Sequence, residues 1–149
     1  MRIRFSALAV MSGLLLAGCA TQSSNLLIGS TQPLTRSQLA KVLVANPLEP
    51  DQNMRVAPVS KSRHASIHVV QVRWAEKPHI HEMHDLTVFV ARGSGEITIG
   101  TETHRCRDGD VIHIPAGVRH YFTNKGSSPA VAVVVFSPPF DGKDAKPME

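Results

Sequence analysis

A chain of 149 residues fits one domain. Its formal net charge is +4, but Arg2 and Arg4 lie at the extreme N-terminus, so the body is only mildly basic. No basic run or stripe interleaved with aromatic residues appears, which argues against nucleic-acid binding. With one Trp and one Tyr, the core has to come mostly from Val, Ile, Leu and Ala.

The first segment, Met1 to Ser24, reads as a targeting device. Two arginines precede an apolar run too short to span a bilayer comfortably, and the run closes on small residues. Leu16-Ala17-Gly18-Cys19 resembles the lipobox of bacterial lipoproteins. That resemblance implies a signal peptide over 1–18 and acylation of Cys19. Because Ala20 rather than Asp follows, it also implies an outer-membrane anchor facing the periplasm. Several acyl chains on one cysteine hold far better than one. The other reading is an ordinary secretory signal cut near Ala17 or Ala20. Cys106 is the remaining cysteine, which excludes a disulfide framework. A small apolar residue buried in a strand is its expected role.

Residues 19–34 are polar and are expected to form a flexible tether. In Thr35 to Asn46, Leu39, Val42 and Leu43 recur at helical spacing, with Thr35 or Ser37 as N-cap and Pro47 beyond the end. A short amphipathic helix packed on the domain is predicted there, within a leading segment 35–60. Beyond it the texture changes to short β-branched runs: Ser66 to Trp74, Leu86 to Ala91, Gly95 to Gly100, Asp110 to Pro115 and Ala130 to Phe136. Turn residues separate them, which reads as an all-β sandwich or barrel over 61–137. The tail, 138–149, is rich in Pro and charge and is expected to be irregular.

Histidines carry the chemistry. His79 and His81 are two apart, so in a strand they share a face with Cβ atoms roughly 7 Å apart, a separation one metal ion can bridge. Downstream, "GDVIHIPAGVRHYFTN" places Gly109, Pro115, Gly117, His120 and Asn124 at the spacing G-x5-P-x-G-x2-H-x3-N. This resembles the second motif of the cupins. His79, His81 and Gly93 fill places in the first motif, G-x5-H-x-H-x3-4-E-x6-G. The resemblance implies a cupin-type double-stranded β-helix, a jelly-roll barrel, with one short N-terminal helix. It also implies that His120 faces His79 and His81 around a divalent transition metal.

Two positions depart from the pattern. Arg73 replaces the leading glycine, and Leu86 stands at the glutamate position, where it cannot bind metal. With Leu86 inward, alternation turns His84, Val88 and Val90 inward and Asp85 outward. Three solutions stay open: His84 as a displaced fourth ligand, Asp85 after a register shift, or three histidines with open positions. Imidazole ligands suit Fe, Ni, Zn, Cu or Mn alike. Gly109 and Gly117 permit tight turns, Pro115 stiffens the corner before His120, and Asn124 is expected to satisfy backbone groups. His64, His68, His104 and His113 carry no motif, so surface or satisfied-core roles are expected for them.

Three functions fit these residues. One is a metal-dependent enzyme on a small molecule, a dioxygenase or an isomerase. The second is a non-catalytic sensor or binding cupin, and the third an envelope metal-handling protein, for which Met83 among the histidines would suit copper or zinc. Ser137 to Asp144 resembles the ending of some small bacterial cupins and would cover the barrel mouth or a subunit edge, or simply end the chain. The resemblance also implies a homodimer.

Overall fold

The computed structural model describes residues 25–28 and 35–148. The expected signal peptide and Cys19 lie outside the described residues. Asn25–Ile28 (β1) and Thr35–Gln38 (β2) pair antiparallel, so part of the expected tether is a strand. The helix, α1, is Leu39–Ala45 and thus shorter than expected, because residues 35–38 are taken up in that pairing. Asn46 closes α1: both its backbone N–H and its Nδ2 donate to Val42 O at 3.0 Å.

The strands that follow are β3 (Met54–Lys61), β4 (Ser66–Val72), β5 (His79–His81), β6 (Asp85–Arg92), β7 (Ser94–Ile99) and β8 (Glu102–Arg107). They continue with β9 (Val111–Ile114), β10 (His120–Asn124), β11 (Ala130–Ser137) and β12 (Ala145–Pro147). Two five-stranded antiparallel sheets result, ordered β12-β5-β10-β7-β8 and β3-β4-β11-β6-β9. This is the all-β jelly roll that the sequence predicts, widened at both ends. β3 joins the barrel from the leading segment, and β12 joins it from the tail expected to be irregular.

Alternation along the strands separates two cores. Val70, Val72, Leu86, Ile114, Val134 and Phe136 point between the sheets, where Ile97 and Cys106 meet them from the opposite side. Val69 and Val131 point to the other face and bury against Leu39 of α1, with Val42 and Leu43 packed alongside. The β4–β11 pair is therefore covered on both faces. Burying each such aliphatic side chain is worth about 1.5–3 kcal/mol. β8, "ETHRCR", escapes the alternation pattern because it is an edge strand whose one buried residue is Cys106. β3 is likewise an edge, and its register shifts between Pro58 and Ser60, the setting in which a strand tolerates proline. Among the described residues no helix is long and apolar enough to cross a membrane.

Candidate metal centre

Strand β5 is short, but its pairings decide the site. His79 is the register partner of His120 on β10, and His81 is the partner of Ala145 on β12. The period of two puts His79 and His81 on one face, and the β5–β10 pairing brings His120 to them. One ring nitrogen from each of the three histidines lies within 4.8 Å of the others. His81 and His120 are buried, and His79 is half-buried.

Hydrogen bonds set which nitrogens are free. His79 Nδ1–H donates to Lys77 O at 2.8 Å, and His120 Nδ1–H donates to Val118 O at 2.9 Å. A carbonyl only accepts, so in each neutral ring the proton sits on Nδ1 and Nε2 keeps its lone pair. His81 Nδ1 is buried with no hydrogen-bond partner, and the nearest acid, Asp144, has Oδ2 3.8 Å away. Burial pushes the His81 pKa down to about 4, helped by the neighbouring His79 and His120 rings. Burial also lowers His120. Both are neutral donors at neutral pH. A set of neutral imidazoles with free lone pairs, one of them with an orphaned nitrogen, fits a divalent first-row metal ion.

The histidines border a cavity of about 160 Å³ between the sheets. Its walls are aliphatic and aromatic, with Val72, Val88, Ile112 and Phe122 among them, and Glu76 is the one acidic side chain in the lining. The positive-φ glycines of the motifs shape the turns around it. Gly117 (φ 75°) donates its N–H to His81 O at 2.7 Å and so ties the turn before β10 to β5.

The cupin-domain family Cupin_2 matches residues 66–136, which span β4 to β11 and contain all three histidines. The chain is a cupin-domain protein. An uncharacterized protein of Aquifex aeolicus (strain VF5) is 34% identical to this cupin over 98 residues, covering 66% of this chain and 80% of that one. TT1209 from Thermus thermophilus superimposes with a TM-score of 0.61 at 25% identity, covering 70% of this chain and 97% of its own. A Streptomyces PAC13 variant solved with uridine shares the fold, with a TM-score of 0.52 at 19% identity and coverage of 63% and 84%.

The structure places the two fourth-ligand candidates differently. Asp85 is exposed on the outer face of β6, where its Oδ1 accepts the Ala116 N–H at 2.8 Å. No register shift occurs there, so Asp85 caps the turn before β10 and does not reach the site. His84 is buried, but it is directed to Asp144: Nδ1–H donates to Oδ2 at 2.5 Å. His81, His84 and Asp144 form a second group of donor atoms within 4.8 Å, apart from His79 and His120. Leu86 is buried at 5% exposure in the cavity wall.

Two acids at the site lie outside the motifs. Asp144 arrives because β12 pairs with β5, and its carboxylate also accepts the Met83 N–H at 3.1 Å. Burial raises its pKa, but the His84 hydrogen bond, the Met83 N–H and the two histidine charges outweigh that, and the net shift is downward. Glu76 Oε2 accepts the Phe122 N–H at 2.9 Å, while Glu76 N–H donates to Phe122 O at 2.8 Å. Burial raises the Glu76 pKa against the opposing pull of His79 and of that N–H. The one sequence signal for Glu76 is an acid just upstream of the histidine pair; Asp144 has none.

The remaining motif residues are structural. Gly93 (φ 97°) packs so closely on Ala130 that an added Cβ would lie 3.1 Å from its Cα. Gly109 has φ 95°, and Pro115 O accepts the Val118 N–H at 3.2 Å in the corner before His120. Asn124 Nδ2 donates to Arg73 O and Ser128 O, both at 2.8 Å, which holds the ends of two connections together. His64, His104 and His113 are exposed, and His68 is buried with Nε2 2.9 Å from Ser66 Oγ. Met83 is 68% exposed. The tail covers the site from outside: Phe140 stacks on Phe136 at 4.6 Å and lies edge-on to His81 at 5.5 Å.

Proposed function

We propose that this cupin is a metal-binding lipoprotein of the bacterial envelope that binds, and at this centre converts, a small molecule. The observation that carries the reading is the convergence of His79, His81 and His120 on one face of an apolar cavity. A divalent ion held there supplies Lewis acidity, or dioxygen activation if it is redox-active. The protein's own part is to keep His81 and His120 neutral through burial, to exclude water with the aliphatic wall, and to offer the Glu76 carboxyl. His79 and His120 are fixed by Lys77 O and Val118 O, so the ligand set is organised before any ion arrives.

Membrane attachment through acylated Cys19 and an outer-membrane, periplasm-facing location rest on the Leu16–Cys19 pattern. A homodimer, formed through strand edges, rests on the resemblance to other cupins. Iron, nickel, zinc, copper and manganese all accept this donor set. Elemental analysis of the purified protein beside His79→Ala and His120→Ala tests the reading. One equivalent of metal in the parent and a small fraction in each variant supports it, and equal content in all three contradicts it.

A second reading, a binding module without turnover, is favoured by the scarcity of acid–base groups in the cavity, where Glu76 is the one carboxyl. Small-molecule binding without metal-dependent conversion would identify it. Metal handling is disfavoured by the burial of His81 and His120, which slows exchange.

A further inference from the structure

The cavity's shape and chemistry bear on what enters it. At about 160 Å³ it is close to the roughly 150 Å³ engineered void that accepts benzene, so one six-membered ring or a branched chain of that bulk fills it. Its polar side chains are gathered in one place. They are the three clustered histidines and Glu76, whose Oε2 is already engaged by the Phe122 N–H. Elsewhere the wall consists of Val, Ile, Leu, Ala, Met and Phe side chains and the Cys106 thiol. A ligand hydroxyl against that wall exchanges water for nothing and weakens binding by about tenfold or more. A sugar-like molecule carries several such groups. Charge adds a second constraint. Three imidazoles bring no negative charge to a divalent ion, and Leu86 stands where the cupin motif has a carboxylate. An anionic head on the ligand compensates.

We propose that the ligand of this centre is a compact molecule with an apolar body of about six to eight non-hydrogen atoms and one anionic oxygen head. The head sits among His79, His81 and His120, and the body lies against the wall formed by Val88, Ile97, Ile112 and Val134. This rests on the metal reading above and excludes polyols as ligands of the site.

Calorimetry on the full chain in detergent, with and without zinc, tests it using four probes. Acetate is a head without a body, benzoate a head with a ring, toluene a ring without a head, and gluconate a head on a polyol. On the zinc-loaded protein, benzoate is expected to bind at least tenfold tighter than acetate, with gluconate no tighter than acetate. Toluene is expected to bind weakly with or without zinc. Val88→Phe fills the cavity and should abolish the preference for benzoate over acetate, with zinc content measured alongside; Ala132→Leu does the same more gently should the larger side chain unfold the barrel. Equal affinities for acetate and benzoate, or gluconate binding as tightly as benzoate, would overturn the proposal. A benzoate preference that persists unchanged without zinc supports the apolar body and contradicts the metal reading instead.

Discussion

His79 and His120 are direct cross-strand partners, one on β5 and the other on β10, with ring centroids 4.4 Å apart. The pairing converts two separate sequence motifs into one donor set. It also makes the set sensitive to loss of either member. His120→Ala should weaken metal binding by more than hundredfold, since loss of an outer-shell partner alone costs about 10–100-fold. His113→Ala, an exposed residue on β9, should leave it unchanged. Competition with a chromogenic chelator measures both.

Asp144 lies 3.8 Å from the orphaned His81 Nδ1 and hydrogen-bonds His84. A carboxylate beside a ligand histidine fixes its ring and raises its basicity. Asp144→Asn should weaken metal affinity by about 10–100-fold and shift the absorption bands of the cobalt-substituted protein. Asp144→Glu should restore part of both. An unchanged spectrum would show that Asp144 only anchors the tail.

Leu86→Glu places a carboxyl in the apolar wall at the position where the cupin motif has a metal ligand. Without metal, the buried acid should lower stability by about 1–3 kcal/mol. Metal should then raise the melting temperature more than it does in the parent. The comparison is four thermal melts.

His81 gives a pH signature. Its folded pKa, about 4, lies below the ordinary 6.5, so between those values the unfolded chain binds the proton more readily. Stability of the metal-free protein is therefore full above pH 6.5 and lost as pH falls toward 4, with His120 acting in the same direction. Denaturant unfolding followed across that window should show the decline, and His81→Gln should flatten it.

The parts of the fold legible in the sequence are those dictated locally. Gly109, Pro115, Gly117 and His120 stand at the spacing of the second cupin motif, and the β-branched runs mark β4, β6, β7, β9 and β11. Alternation along β6 turns Leu86, Val88 and Val90 toward the cavity they line. What sequence does not show depends on long-range pairing. β12 carries no strand pattern and exists through its register with β5, so nothing local marks Asp144 as a neighbour of His81. That same pairing brings the Asp144 carboxylate to His84. Asp85 reads as a candidate ligand because its hydrogen bond to Ala116, on a distant turn, has no local signature. Gly95 belongs to no motif, yet an added Cβ there would sit 2.4 Å from Thr123 O, a constraint set by β10 rather than by its own strand.

Convergence of three imidazoles on one ion is open to direct observation by anomalous diffraction from crystals of the metal-loaded protein. One anomalous peak per chain is expected, within bonding distance of nitrogens from His79, His81 and His120. A peak bound by His81, His84 and Asp144, or no peak at the three histidines under saturating metal, would contradict the shared centre.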